Sequence, residues 1–278
     1  MKKLEFNVIG TNGRSMLTDV QFNYLTNSMP IVFFVHGFKG FKDWGHFNLV
    51  AAQFAEAGFL FVKFNFSHNG TTAEQPIDFV DLKAFGDNNY IYELNDLETV
   101  MNEVLIHREL EKHIDKNRIY LIGHSRGGGI SLLKANEDKQ IKKIITWASV
   151  NDFINRNSTE SIQAWNTEGV SYTYNARTKQ NMPMYKQFYD CILENKDRLD
   201  VNKAVENLKI PYLIIHGTHD EVVNINEAKM LREKCKHAEL VMIENGNHTF
   251  GATHPWDKQS LSTDASIVVN KSIEFLKE

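Results

Sequence analysis

Six short runs along the chain are dominated by apolar, branched and aromatic residues: Ile31 to Val35, Leu60 to Phe64, Ile119 to Ile122, Ile141 to Trp147, Tyr212 to Ile215 and Leu240 to Ile243. Runs of this kind are expected of strands buried on both faces. The segments between them follow a longer period. Leu94, Leu97, Met101, Val104 and Leu105 fall on one helical face, and Leu261, Ala265, Val268, Val269 and Leu276 form a second such stripe. Asp43 to Ala57 reads as a further helix. Buried strands alternating with amphipathic helices predict right-handed crossovers, and so an α/β fold with a mostly parallel sheet and helices on both faces.

Two stretches depart from this rhythm. Phe6-Asn7-Val8-Ile9 and the run from Leu17 to Tyr24 flank Gly10-Thr11-Asn12-Gly13-Arg14, which predicts an N-terminal β-hairpin or meander. From Asn151 to about Leu208 no buried strand is evident, and the stretch is polar. It nevertheless holds Trp165, Tyr172, Tyr174, Tyr185, Phe188 and Tyr189, enough aromatic surface to fold. It reads as an insertion between two core strands, built of short helices and set over the strand ends. A chain of 278 residues can bury one large core. The expected organisation is therefore one domain over residues 1–278 with a cap-like insertion at about 151–208.

Charge and composition narrow the partners. The formal charge of −4 and the lack of long like-charge blocks give no reason to expect nucleic acid or a membrane as partner. Met1-Lys2-Lys3 runs into Leu4-Glu5-Phe6-Asn7 rather than an apolar signal core, and the longest apolar run, Pro30 to Val35, is too short to span a bilayer. Cys191 and Cys235 lie far apart and read as free thiols, so a cytoplasmic location is expected. The histidines form no H-E-x-x-H and the cysteines no Cys-x-x-Cys, so no metal is expected. Gly127-Gly128-Gly129 lacks the G-x-G-x-x-G spacing of a dinucleotide site, and no cofactor is expected either.

The candidate chemistry sits at strand ends. Gly123-His124-Ser125-Arg126-Gly127 follows the run Ile119 to Ile122 and opens a helical segment. A serine at a tight strand-to-helix turn is pushed out over the sheet, and glycines two positions to either side remove β-carbons that would clash. That context outweighs the plain role of serine as a helix N-cap. Acyl transfer also needs a base, an acid to orient it, and donors for an oxyanion. Asp220 follows the strand Tyr212 to Ile215, in His216-Gly217-Thr218-His219-Asp220-Glu221-Val222-Val223. His248 follows Leu240 to Ile243, in Gly246-Asn247-His248, and this position favours it over His219 and His254. The backbone N–H groups of Arg126 and of Phe38, in His36-Gly37-Phe38-Lys39-Gly40, are the oxyanion candidates. His36 reads as a brace for that loop and His124 as a packing residue beside the turn.

The order Ser, Asp, His is similar to that of the α/β-hydrolases. More closely, the four motifs around residues 36–40, 123–128, 216–223 and 246–248 resemble those of bacterial esterases that include cinnamoyl and feruloyl esterases. Dienelactone-hydrolase-like and S9-peptidase-like hydrolases share the pattern. The resemblance implies an eight-stranded sheet and a serine esterase without a cofactor, acting on a small-molecule ester. It also implies an insertion that helps form the substrate pocket. It favours Asp220 over its neighbour Glu221 as the acid. Two departures bear on substrate choice: Arg126 stands where those esterases often carry glutamine, and Phe66-Ser67-His68-Asn69-Gly70 replaces a loop with an aspartate and two glycines. A serine nucleophile also differs from the cysteine of true dienelactone hydrolases.

His68, Trp165 and Tyr172 are candidate substrate contacts, and the Arg126 side chain could meet a substrate carboxylate or pair with a nearby acid. A thioesterase, an exopeptidase or an amidase would use the same residues, and a non-catalytic binding protein on this fold is a further alternative. Self-association as a homodimer stays open.

Overall fold

The computed structural model describes residues 1–24 and 26–278. Side chains alternate across a strand, so a doubly buried run must feed two cores at once. In β3 (Met29–Val35), Ile31, Phe33 and Val35 enter one core and Val32 and Phe34 the other. The first core is closed by α3 (Tyr90–Ile106), α4 (Arg126–Glu137), α7 (Val201–Asn207) and α8 (Ile225–Lys234). The second is closed by α1 (Phe47–Glu56) and α9 (Thr263–Lys277). The leucine stripe of α3 and the valine stripe of α9 are the faces that make these contacts.

The sheet has eight strands in the order β1-β2-β4-β3-β5-β6-β9-β10, with β1 Lys2–Ile9, β2 Ser15–Phe22, β4 Leu60–Phe64, β5 Ile114–His124, β6 Ile141–Trp147, β9 Tyr212–Gly217 and β10 Glu239–Ile243. The N-terminal hairpin β1–β2 is antiparallel, β2 also runs antiparallel to β4, and every other pairing is parallel. This is the mostly parallel architecture expected from the sequence. The parallel strands end on one side, where their loops can converge.

An ionic cluster ties the antiparallel and parallel parts together. Asp19 of β2 and Lys63 of β4 are fully buried and 2.7 Å apart, and Lys42, after β3, reaches Asp19 at 2.9 Å and Asp43 at 2.6 Å. Lys63 also pairs with Asp43. Burial alone would raise the Asp19 carboxyl, but the two lysines hold it well below the usual carboxylate range.

Two expectations need correction. The helix expected from Asp43 begins only at Phe47, because Asp43 is held by the two lysines and Gly45 adopts φ +56, outside helical geometry. The stretch from Asn151 to Leu208 does contain short helices, α5 (Thr159–Glu168), α6 (Lys186–Glu194) and α7. It also contains an antiparallel hairpin, β7 (Val170–Asn175) with β8 (Gln180–Tyr185), which was not expected. Val170-Ser171-Tyr172-Thr173-Tyr174 alternates large and small on a half-exposed ribbon, so it lacks the continuous apolar run of the core strands. This hairpin packs its β8 strand on α2 (Leu82–Asp87), where a side chain on Gly86 would meet the Tyr185 ring at 2.6 Å.

Candidate active site

β5 ends at His124 and α4 begins at Arg126, so Ser125 alone makes the turn between them, at φ 57 and ψ −123. Its N–H is held by the Trp147 carbonyl at 2.9 Å. The flanking glycines are sterically required. A β-carbon at 123 would lie 2.3 Å from the Gly127 carbonyl oxygen, and one at 127 would lie 2.3 Å from that of Val35. Ser125 makes no side-chain cap to α4. Its Oγ instead lies 3.0 Å from His248 Nε2.

His248 follows β10, and its Nδ1 lies 2.8 Å from Asp220 Oδ2. A carboxylate there selects the tautomer with the proton on Nδ1, so Ser125 Oγ–H donates to Nε2. Asp220 is thoroughly hydrogen-bonded. Its Oδ1 accepts from the N–H groups of Val222 at 2.9 Å and Val223 at 2.8 Å. Burial would raise this carboxyl, but His216, His248 and the Val223 N–H outweigh it and hold the group well below the usual range. Glu221 is exposed, His219 is exposed, and His254 Nδ1 accepts from the Gly45 N–H at 2.9 Å.

The sequence reasoning missed His216. This fully buried ring, at the end of β9, places Nε2 2.8 Å from the Val223 carbonyl and 3.3 Å from Asp220 Oδ2. Its Nδ1 is buried with no partner among the described residues. The Nε2–H therefore donates to the Val223 carbonyl and lies beside the same carboxylate oxygen that His248 uses.

The Phe38 loop approaches Ser125 closely, since a β-carbon on Gly37 would sit 2.9 Å from Ser125 Cβ. His36 Nδ1–H donates to the Gly37 carbonyl at 2.9 Å, and burial pushes this ring down to about 4. Among the described residues the Phe38 N–H has no acceptor. The Arg126 N–H lies in the first turn of α4, where no intrahelical acceptor exists. His124 Nε2 donates to the His248 carbonyl at 2.9 Å, and burial pushes that ring down to about 3.

Two cavities meet at Ser125. One, of about 300 Å³, is lined by Phe38, Tyr90, Arg126, Phe153, Met184 and Phe188 among others. The other, of about 130 Å³, is lined by Phe38, Lys39, Trp44, Phe47, His248 and Thr249 among others. The Arg126 side chain pairs with an acid: Nη1 lies 3.2 Å from Glu93 Oε1, with the Phe38 ring 3.9 Å from the guanidinium. Burial pushes the Glu93 carboxyl up.

Three expected substrate contacts lie elsewhere. His68 lines neither cavity; its Nδ1 meets Ser67 Oγ at 2.6 Å and its ring packs on Tyr92. Trp165 is buried in the first core, where Nε1 donates to the Met184 carbonyl at 2.7 Å and the indole stacks on Tyr189. Tyr172 is 61% exposed on the outer face of β7. Thr173 and Met184, from the hairpin, line the larger cavity instead. Among the described residues no group of three His, Cys, Asp or Glu side chains is placed to hold a metal ion. Among the described residues no helix is long and apolar enough to cross a membrane.

A family model described as the prolyl oligopeptidase family matches residues 46–263, most of the chain. The chain belongs to the prolyl oligopeptidase family. Members are serine hydrolases on the α/β-hydrolase fold, and solved structures show the same fold over the whole length. Est1E from Butyrivibrio proteoclasticus superposes with a TM-score of 0.70 at 16% identity, covering 98% of this chain and 97% of that one. The dienelactone hydrolase from Anabaena variabilis gives 0.62 at 15% identity, covering 100% and 98%. The acylaminoacyl peptidase of Pyrococcus horikoshii gives 0.63 at 17% identity, covering 89% of this chain and 37% of that one. A curated relative, monoacylglycerol lipase ABHD6 of Bos taurus, is 25% identical over 80 residues; the match spans 29% of this chain and 24% of that protein.

Proposed function

We propose that this family member is a carboxylic ester hydrolase that works through a covalent acyl-enzyme. The observation that carries the reading is the continuous hydrogen-bonded chain Ser125–His248–Asp220, at 3.0 and 2.8 Å, beside two N–H groups without an acceptor among the described residues. In the proposed reaction Ser125 Oγ attacks the carbonyl carbon as its proton passes to His248 Nε2. Asp220 stabilises the imidazolium and holds its orientation. The Phe38 and Arg126 N–H groups bind the oxyanion, each donor being worth about 3 kcal/mol at the transition state. His248 returns the proton to the leaving alcohol. Water, deprotonated by His248, then releases the acid. We further propose that residues 1–278 act as one domain, with the segment 151–208 serving as its cap. Cys191 and Cys235 are free, which agrees with a reducing compartment such as the cytoplasm.

Ser125→Ala should remove hydrolysis of a short 4-nitrophenyl ester by about 10³-fold or more while leaving the fold intact. A fluorophosphonate should label the wild type at Ser125. Unchanged turnover in the variant, or no labelling of folded wild type, overturns the reading. Membership of the prolyl oligopeptidase family favours one alternative, an exopeptidase or amidase on the same triad. Comparing kcat/KM on esters, acyl-thioesters and aminoacyl anilides decides between them, and faster anilide cleavage would replace the esterase assignment.

A further inference from the structure

The two cavities at Ser125 offer a substrate different surroundings. His248 lines the smaller one and is absent from the lining of the larger. A general acid must reach the oxygen it protonates, so the leaving alcohol belongs in the smaller cavity. The acyl chain then extends into the larger one, against Phe38, Tyr90, Phe153 and Phe188.

The charge lining that space is one-sided. Among the described residues, the larger cavity is lined by two guanidinium groups, Arg126 and Arg156, and by no carboxylate. The smaller one carries Lys39, again without an acid. This occurs in a chain whose formal charge is −4. The counter-ions lie behind the wall and engage only part of each arginine. Glu93 takes Arg126 through Nη1 alone, and the same Glu93 oxygen already accepts from Asn88 Nδ2 at 2.7 Å. Glu227 takes Arg156 through Nη1, at 2.8 and 3.0 Å. Phe38 covers a face of the Arg126 guanidinium, which leaves its N–H edges for a ligand. Asn157, on the same wall, has a buried Nδ2 with no acceptor among the described residues.

We infer that the acyl group taken by this site ends in a carboxylate, so that the substrates are monoesters of dicarboxylic acids, with Arg126 and Arg156 as the specificity-determining side chains. The inference rests on the esterase reading above. The apolar rings pack the body of the acyl chain, and the free guanidinium edges meet the distal carboxylate, the planar geometry they match best.

The test compares two esters of one acid: mono-4-nitrophenyl adipate, and the same ester with its distal carboxylate methylated. At low ionic strength the wild type should prefer the anionic ester by about tenfold or more in kcat/KM. Added salt should shrink that preference. Arg126→Gln and Arg156→Gln should each cut the ratio at least about threefold, and a ratio cancels any general loss of activity in a variant. If Arg126→Gln does not fold, Arg156→Gln carries the test. A wild-type ratio at or below one, or a ratio unchanged in Arg156→Gln, overturns the inference. Fluorophosphonate labelling of Ser125 separates the two failures. Labelled enzyme that prefers the neutral ester remains an esterase with a different acyl group, whereas unlabelled enzyme inactive on both esters refutes the hydrolase reading itself.

Discussion

His216 shows how one side chain can act through another. Asp220 Oδ2 faces two imidazoles, His248 at 2.8 Å and His216 at 3.3 Å, while Oδ1 is saturated by backbone. The His216 Nε2–H, held on the Val223 carbonyl, presents its positive end to this oxygen and offsets part of the charge that stabilises the His248 imidazolium. Removing it should make that imidazolium easier to form. His216→Leu is therefore expected to move the acidic limb of kcat/KM upward by as much as about one pH unit, since one unit corresponds to about 1.4 kcal/mol. It should also lower kcat with little change in KM. His216→Gln, whose amide nitrogen can sit where Nε2 sits, should return the limb towards the wild-type position. A limb that stays put in both variants would make His216 a packing residue only. The histidine was visible in the sequence beside the Asp220 turn, but its role was not. It depends on how residues 217–223 curl back over the end of β9, which no spacing rule specifies. The preference for Asp220 over Glu221, by contrast, could be stated from the motif, and Asp220 is the one that faces His248.

At the scale of elements, legibility followed burial. Five of the six apolar strands are largely buried on both faces, so their runs do not depend on what covers them, whereas β10 is the edge strand of the sheet and leaves Met242 exposed. The β7–β8 hairpin was missed because a half-exposed ribbon with Tyr172 and Tyr174 pointing outward carries no such run. The pocket contacts failed for the same reason. Trp165 joins the first core, and the cavity takes Thr173 and Met184 from how that ribbon packs. The elbow was the most legible element because its constraint is steric and local. Gly127 tests it. A methyl at this position would meet two backbone carbonyls, Val35 at 2.3 Å and His36 at 2.5 Å, and neither can rotate away. Gly127→Ala should destabilise the fold by about 1–3 kcal/mol, measured by chemical denaturation. Any folded fraction should lose turnover more than stability, because α4 and the Phe38 loop would be forced apart. Full activity in a folded Gly127→Ala enzyme would contradict this account of the elbow.

For the molecule as a whole, the fold's tolerance of acid depends on histidines that it keeps dry. His36 and His46 are pushed down to about 4 and His124 to about 3, in each case chiefly by burial. The unfolded chain binds protons on these rings near pH 6.5, so between that value and about 4 it holds protons the folded protein lacks. Stability from this source is complete above pH 6.5 and is lost as the pH falls, by at most about 1.4 kcal/mol per pH unit for each ring. Asp19 and Asp220, held below the usual carboxylate range, add a further loss only at lower pH. None of this was legible in the sequence, since eleven histidines give no sign of which three lie under the active-site loops. His46 isolates the effect. Both its ring nitrogens are buried without a partner among the described residues, and its neighbours are the Trp256 and Phe47 rings. His46→Phe removes a titrating group and breaks no hydrogen bond. Its stability at pH 7.5 should match the wild type or exceed it slightly, while at pH 4.5 it should gain about 2 kcal/mol, or roughly 4–8 °C in Tm. Thermal melts of both proteins at the two pH values give the answer. Equal losses on acidification would mean that His46 is protonated in the folded state, and that the acid sensitivity lies with His36, His124 and the carboxylates.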